Sequence, residues 1–202
     1  YWLRQGNSPL HLAHVDHGWR QESAKEAQQL VALAKELALP IHIKRLDVET
    51  KGNREATCRN ERLAFFRHLV KELGCQAVLL AHHADDLAET ALKRVLEGAS
   101  LPCLGGMREV SEIDGLPIWR PLLKTPKQDI LLFIEERGLL PFDDATNRDE
   151  RYMRARLRHR IIPDLAEVFG KEIRKGLCTI AEEANELRDY LEFRTQPWLQ
   201  RF

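Results

Sequence analysis

The sequence lacks several features that mark particular classes of protein. Its formal net charge is zero, with 31 Lys and Arg against 31 Asp and Glu, which excludes a uniformly basic nucleic-acid-binding protein. No run approaches the ~20 apolar residues of a transmembrane helix, so no membrane partner is expected. The four cysteines show neither metal-binding spacing nor a disulfide pattern, which favours a cytoplasmic location. At 202 residues, 44% of them hydrophobic, the chain is long enough for one good core and the start of a second, smaller unit.

A short apolar run is followed directly by a cluster of titratable residues and then by a helical pattern. The run, 77–81, has the length of a strand buried on both faces. The cluster comprises His82, His83, Asp85, Asp86 and Glu89. Asp86 and Glu89 share one helix face, where they suit Mg²⁺ binding or acid–base work. A histidine at the strand end suits donation to a phosphate or polarisation of a carbonyl. Because open α/β sheets bind ligands at the carboxyl ends of their strands, the cluster predicts an active site.

A simpler interpretation of Asp86 and Glu89 is helix capping, since carboxylates are favourable near the positive end of the helix dipole. A helix start needs one capping residue, however, and capping does not account for two histidines before the acids. The pattern favours chemistry, with capping as the alternative.

A similar polar segment between a strand pattern and a helical pattern occurs earlier in the chain. The strand pattern 10–15 runs into Asp16, His17 and Gly18, and an amphipathic helical pattern follows. A strand over 41–48 and a helix over 56–73 come next. This succession predicts right-handed βαβ units and an α/β fold with a doubly wound parallel sheet.

Six arginines crowd the segment 148–160, which reads as a helix with Met153, Leu157 and Ile161 as its packing stripe. Two interpretations stay open: a solvated face, or a surface that binds the phosphates of ATP or RNA. Few acids after Glu150 neutralise the cluster, which favours phosphate binding.

Two later elements are readable in outline. Residues 107–123 predict a β-hairpin with Asp114-Gly115 as its turn. After Gly170 the chain is rich in Ala, Glu and Leu and predicts one long helix.

The motifs, taken in order, resemble those of the tRNA(Ile)-lysidine synthetases, which are PP-loop ATP pyrophosphatases. The resemblance spans nearly the whole chain. It rests on His14-Val15-Asp16-His17-Gly18, Arg59-Asn60-Glu61-Arg62, residues 82–90 and 92–99, Gly105-Gly106-Met107, Arg120-Pro121-Leu122-Leu123, Asp144-Ala145-Thr146-Asn147 and Arg154-Ala155-Arg156.

This resemblance implies an adenine nucleotide α-hydrolase-like fold and an ATP-dependent reaction. In that reaction the C2 oxygen of the wobble cytidine of tRNA(Ile) is adenylated, and free lysine then replaces it. The implied cofactors are ATP and Mg²⁺, and the implied partners are L-lysine and a tRNA(Ile) with a CAU anticodon. The resemblance also implies a catalytic domain over 1–165, a helical linker over 166–202 toward a tRNA-binding region, a homodimer and a cytoplasmic location.

The resemblance also implies roles for individual residues. The catalytic set is His82, Asp86, Glu89 and Arg62, and Asp86 is the expected Mg²⁺ ligand. The nucleotide-binding set is His14, Val15, Asp16, His17, Gly18, Arg154 and Arg156.

One departure from the family pattern is the absence of a Ser-Gly-Gly-x-Asp-Ser loop, whose backbone N–H groups would cradle phosphates. We therefore expect the N-terminal strand and phosphate loop to lie outside these 202 residues, within a longer protein.

Three alternatives stay open. One is a dimetal phosphohydrolase, with ligands from His14, Asp16, His17, His82, Asp85 and Asp86. Another is a catalytically silent RNA-binding module, and the third is a different PP-loop tRNA-modifying enzyme such as a thiolase. The absence of a Cys-x-x-Cys pair argues against cluster-dependent sulfur insertion.

Overall fold

The computed structural model describes residues 9–16, 21–46, 54–139 and 151–199. The chain divides into two compact units, Tyr1–Val78 with Asp114–Leu116, and Leu79–Ile113 with Pro117–Phe202. Within the described ranges, no helix has both the length and the apolar character needed to cross a membrane.

The first unit contains a βαβ arrangement followed by a further helix. Its elements are β1 (Leu12–Asp16), α1 (Gln21–Glu36), β2 (Ile41–Arg45) and α2 (Arg54–Leu73). Strands β1 and β2 are parallel, with Leu12 opposite Ile41 and Asp16 opposite Arg45. Helix α2 buries a stripe at helical spacing that includes Leu63, Phe66 and Leu69. The predicted parallel βαβ unit is confirmed.

The other elements belong mostly to the second unit. They are β3 (Val78–Leu79), α3 (Ala84–Leu96), a 3₁₀ helix (Leu101–Cys103), β4 (Val110–Ile113), β5 (Leu116–Trp119), α4 (Lys127–Glu136), α5 (Met153–Arg156), a π-helical segment (Leu157–Ile161), α6 (Ile162–Phe169) and α7 (Ile173–Leu199). Strands β3, β5 and β4 form a sheet in that order.

The core of the second unit lies between α3, α7 and the π-helical segment. Helix α3 contributes Leu87, Ala88, Ala91 and Leu92, which share one face because they recur at helical spacing. The other members are Leu123, Leu157, Ile162, Leu177 and Ala181. This packing fixes the face of α3 that carries Asp86 and Glu89.

The prediction of a strand over 77–81 buried on both faces is wrong in its extent and burial. Strand β3 has two residues, and the Leu79 side chain is 37% exposed. The physical reason is position, since among the described strands β3 is the end strand of its sheet and pairs with β5.

The predicted hairpin and long helix are confirmed. Asp114 and Gly115, with φ of 50° and 76°, form the two-residue turn between β4 and β5. Positive φ at both turn positions is the geometry that suits the twist of a hairpin. The long helix is α7, and its Leu177 and Ala181 belong to the core that includes α3.

Candidate active site

The start of α3 is built by a reciprocal backbone and side-chain arrangement. His83 is the residue before the helix and has an extended backbone, with φ of −125° and ψ of 179°. Its backbone N–H donates to Oδ2 of Asp86 over 3.1 Å. This bond satisfies a donor that would otherwise have no partner at the helix start. Helix capping is therefore confirmed for Asp86, although it is not the only interaction of this side chain.

Asp86 and Glu89 share the guanidinium group of Arg158. Nε of Arg158 donates to Oε1 of Glu89 over 2.6 Å, and Nη2 donates to Oε2 over 3.2 Å. The same Nη2 donates to Oδ1 of Asp86 over 2.9 Å. Glu89 is only 1% exposed, so its charge requires a close cation. Arg158 provides that cation with two parallel hydrogen bonds, the strong geometry for a carboxylate.

Arg158 is held in this position by the π-helical segment Leu157–Ile161. The N–H of Ile162 donates to the carbonyl of Leu157, which is the wider spacing of a π turn. Pro163 explains why the helix widens here. It has no N–H for the carbonyl of His159, and its ring would clash with that carbonyl in a regular α-helix. Leu157 is buried in the core, and Arg158 follows it directly.

The electrostatics of the cluster keep Arg158 charged. Burial lowers the pKa of Arg158, but the hydrogen bond and charge of Glu89, with the charges of Asp86 and Asp85, outweigh burial and raise the pKa above its ordinary value. Arg158 is therefore a permanent cation between two carboxylates.

The predicted nucleotide-binding arginines lie on α5, and Arg154 contacts this cluster. Nη2 of Arg154 donates to Oγ1 of Thr90 over 3.4 Å, and its Nε lies 4.0 Å from Oε2 of Glu89. Arg156 is exposed, with its Nη2 3.9 Å from the sulfur of Met153. The predicted packing stripe is wrong at Met153, which is 48% exposed. The buried face of α5 carries Ala155 instead.

Asp85 and His83 have a different environment from Asp86 and Glu89. Oδ2 of Asp85 accepts from the backbone N–H of Lys127, the first residue of α4, over 2.9 Å. Its Oδ1 lies 3.2 Å from Nε of Arg174 on α7. The imidazole of His83 lies between Asp85 and Asp86, at 3.8 and 3.4 Å. Asp85 thus connects three helices, which is a structural role.

His82 accepts a hydrogen bond from a buried arginine. Nε of Arg120 donates to Nδ1 of His82 over 3.2 Å. Arg120 directly follows β5 and is almost fully buried. The structure thus gives the predicted catalytic histidine a fixed cationic neighbour.

The remaining predicted residues belong to the first unit or are not described. His14, Val15 and Asp16 lie at the end of β1, where Val15 and Asp16 are buried. Oδ2 of Asp16 lies 3.9 Å from Nε of Arg45. His17 and Gly18 lie outside the described residues. Arg62, half-buried on α2, also belongs to this unit, and the roles expected for all these residues stay predictions.

Sequence reasoning missed two residues of the cluster, Arg158 and Arg120. Glu89 follows Ala88 and precedes Ala91 and Leu92 in the sequence. The helical pattern of these apolar residues therefore already places an acid at the edge of a buried face. A buried acid needs a cation, but spacing does not say which of many arginines supplies it.

A parallel βαβ unit, with charged groups where a strand leads into a helix, is typical of nucleotide-binding α/β domains. A family model described as the PP-loop domain matches residues 1–165, and the chain belongs to this family. The predicted adenine nucleotide α-hydrolase-like fold is confirmed, and membership of the family implies the use of ATP.

Relatives that match nearly the whole chain are tRNA(Ile)-lysidine synthases, which confirms the predicted resemblance. The enzyme of Protochlamydia amoebophila is 44% identical over 196 residues, covering 96% of this chain and 43% of the relative. That of Chlamydia caviae is 41% identical over 202 residues, covering 99% of this chain and 64% of the relative. The chain therefore spans between two fifths and two thirds of the length of these relatives.

A solved structure supports the fold alone. The U34-tRNA thiolase NcsA from Methanococcus maripaludis superposes with a TM-score of 0.67 at 19% identity. The match covers 89% of this chain and 62% of the thiolase chain.

The carboxylates of the α3 cluster do not fit Mg²⁺ by themselves. Both oxygens of Glu89 accept from Arg158, and Asp86 accepts from Arg158 and from the backbone of His83. Among the described residues there is no group of three or more His, Cys, Asp or Glu side chains arranged to hold a metal ion. Mg²⁺ binding by Asp86 stays a prediction.

Proposed function

We propose that the protein converts the wobble cytidine of tRNA(Ile) to lysidine, with ATP and free lysine as the other substrates. The observation that supports this most is the cluster at α3, where Asp86, Glu89, Arg154 and Arg158 gather in a PP-loop domain. Buried acids with arginines on one side provide both signs of charge that the two chemical steps need.

In the first step, the C2 oxygen of cytidine attacks the α-phosphorus of ATP, and the bond to the β-phosphate breaks with release of pyrophosphate. Negative charge develops on the phosphate oxygens during this displacement. Guanidinium groups stabilise such charge through paired hydrogen bonds. We assign this role to Arg154, whose Nε lies 4.0 Å from Oε2 of Glu89, and to Arg156, which is exposed on the same short helix.

In the second step, the neutral ε-amine of lysine attacks C2, and AMP leaves with the original C2 oxygen. The attacking nitrogen loses a proton, and the lysine must also be recognised by its charge. Asp86 and Glu89 are the proposed acids for one of these tasks, lysine recognition or proton transfer. A lysine-recognition role requires Arg158 to share the carboxylates with the substrate.

Other parts of the proposal rest on the sequence resemblance. Arg62 would stabilise phosphate or RNA charge, and the residues from His14 to Gly18 would border the nucleotide. A CAU anticodon in the tRNA, a homodimer, Mg²⁺ carried on the phosphates of ATP and a cytoplasmic location belong to the same proposal.

The test is incorporation of labelled lysine by the intact protein into a tRNA(Ile) transcript with a CAU anticodon. We expect incorporation that requires ATP and releases AMP and pyrophosphate in equal amounts. A transcript with a changed wobble base is the matched control and should accept no lysine. Failure to incorporate lysine, with transfer of sulfur or another group instead, would contradict the proposal.

The same assay separates the two tasks of the acids. If Asp86 and Glu89 recognise lysine, Asp86→Asn and Glu89→Gln should raise the KM for lysine with a smaller effect on kcat. If they transfer the proton, kcat should fall while the KM for lysine changes little.

A further inference from the structure

We propose that Arg120 is a positioning residue that fixes His82 in the tautomer with its proton on Nε2. His82 then acts in the reaction as a hydrogen-bond donor and not as a base. The donor role rests on the proposed function, whereas the tautomer is a property of the folded protein that can be measured without turnover.

Arg120 is anchored on several sides. It is 6% exposed, and its Nη1 donates to the carbonyl of Arg108 over 2.9 Å and to Oγ of Ser111 over 2.8 Å. Its backbone N–H donates to the carbonyl of Glu109 over 2.7 Å. These bonds connect Arg120 to β4 and to the loop before it. The guanidinium plane is therefore oriented before any substrate binds.

This orientation determines the protonation of His82. The guanidinium group has five N–H donors and no acceptor, so the bond from Nε of Arg120 requires a lone pair on Nδ1 of His82. A neutral imidazole carries one N–H, which must then be on Nε2. A doubly protonated ring would place an N–H against an N–H and two positive charges side by side.

The tautomer decides between the two roles that an imidazole can have in a reaction, hydrogen-bond donor and base. An Nε2–H group can donate to a phosphate oxygen or to the C2 oxygen as charge moves onto it. The same nitrogen has no lone pair with which to accept a proton. Proton removal from lysine must then be the task of another group, such as the neighbouring carboxylates.

The tautomer is tested by ¹⁵N NMR of the protein with labelled histidine, with the His82 signals assigned by their loss in His82→Gln. We expect an unprotonated Nδ1 and a protonated Nε2 at neutral pH. In Arg120→Met the population should shift toward a mixture of tautomers. A wild-type ring protonated on Nδ1, or a tautomer unchanged by Arg120→Met, would overturn the proposal.

A milder variant covers the case in which Arg120→Met does not fold. Ser111→Ala removes one acceptor of Arg120 and does not touch His82. It should shift the tautomer in the same direction by a smaller amount, and an unchanged spectrum would count against the proposal.

The donor role is tested by two amides at position 82. The amide nitrogen of Gln reaches the place of Nε2, whereas that of Asn reaches only the place of Nδ1. We expect His82→Asn to lower kcat by roughly 100-fold, as loss of a donor to developing charge does, and His82→Gln to retain clearly more activity. Equal loss in both variants would overturn the donor role.

The two proposals fail in different ways. Absence of lysine incorporation by the wild type, with the Nε2–H tautomer present, would sink the proposed function and the donor role but leave Arg120 as the residue that orients His82. A ring protonated on Nδ1, together with normal lysine incorporation, would refute the role of Arg120 and leave the proposed function intact.

Discussion

At the end of β1 and at the start of α3, histidine and aspartate occur between a strand and a helix in the sequence, but the charges of the two segments are paired differently. At the end of β1, Asp16 is buried while Arg45, 3.9 Å away, has 71% of its side chain exposed. In the first two turns of α3, Glu89 and Asp86 are buried against Arg158, at 2.6 and 2.9 Å, and Arg158 has 21% of its side chain exposed. The acids are buried in both segments, so the burial of the arginine is what distinguishes the charge cluster of α3 from the pair of Asp16 and Arg45.

The largest expected effect is on stability, in Arg158→Met. This variant leaves Glu89 and Asp86 buried without their cation, so we expect a loss of about 3 kcal/mol in the free energy of unfolding, the lower end for a broken buried pair. Arg45→Met is the matched variant at the other segment and should change the free energy by about 1 kcal/mol or less. Denaturant unfolding measures both. Equal losses would mean that the two segments do not differ in this way.

A smaller effect should distinguish the two acids of α3. Glu89 accepts two hydrogen bonds from Arg158 and Asp86 accepts one, so Glu89→Gln should cost about 1.5–3 kcal/mol and Asp86→Asn less. Thermal and denaturant unfolding give the order. A larger cost for Asp86→Asn would show that the capping bond to His83 contributes more than the pair with Arg158.

The exposed arginines of α5 should affect ligands more than stability. Arg154→Ala and Arg156→Ala should each change the free energy of unfolding by about 1 kcal/mol or less. If RNA is their partner, each variant should lower the steepness of the salt dependence of tRNA affinity by about one charge. If ATP is their partner, single-turnover adenylation should slow while the salt slope stays the same.

Arg160→Ala is the matched control for this prediction. Arg160 is exposed on the adjoining π-helical segment, 4.0 Å from Asp164. Equal effects of all three variants would mean that the segment acts only through its total charge.

The smallest expected effect concerns the thiol of Cys178, which contacts the first residue of α3. Sγ of Cys178 donates to the carbonyl of Ala84 over 3.3 Å. Burial raises the pKa of Cys178 from 9.0 to about 11, and the charges of Glu182 and Asp85 add to this. Between these values the unfolded chain loses a proton that the folded chain keeps, so stability is present below pH 9 and falls as the pH rises toward 11.

Cys178→Ser removes this titration and keeps a donor of similar size. The difference in unfolding free energy between wild type and variant should therefore depend on pH only above about 9, by about 1 kcal/mol or less for a partly exposed group. A constant difference up to pH 11 would show that the thiol ionises as easily in the folded protein as in the unfolded one.

Much of the fold could be predicted from the sequence because its signals are local. The apolar spacing of α2 and α7 and the Asp114-Gly115 turn depend on residues a few positions apart, and the structure confirms them. The edge position of β3 depends on which strand lies beside it, so its short length and exposure could not be read from the run 77–81.

In the candidate site, too, features set by nearby residues could be predicted and features set by tertiary packing could not. Asp86 and Glu89 could be placed on one helix face from their spacing, and His82 from its place before the helix. The partner of Glu89 lies 69 residues further along the chain, and that of His82 lies 38 residues further. Such pairings depend on tertiary packing, and several arginines of the segment 148–160 are equivalent in sequence.

The most direct test of the central claim, that the paired acids at α3 form the reaction centre, is lysine incorporation by the intact Glu89→Gln protein. Its matched control is Lys93→Gln, on the same helix, whose residue forms an exposed pair with Glu97 at 2.6 Å. At a temperature where both variants are folded, incorporation should fall by roughly 100-fold or more in Glu89→Gln and stay at the wild-type rate in Lys93→Gln. Wild-type incorporation in folded Glu89→Gln would mean that the acid pair only stabilises the domain.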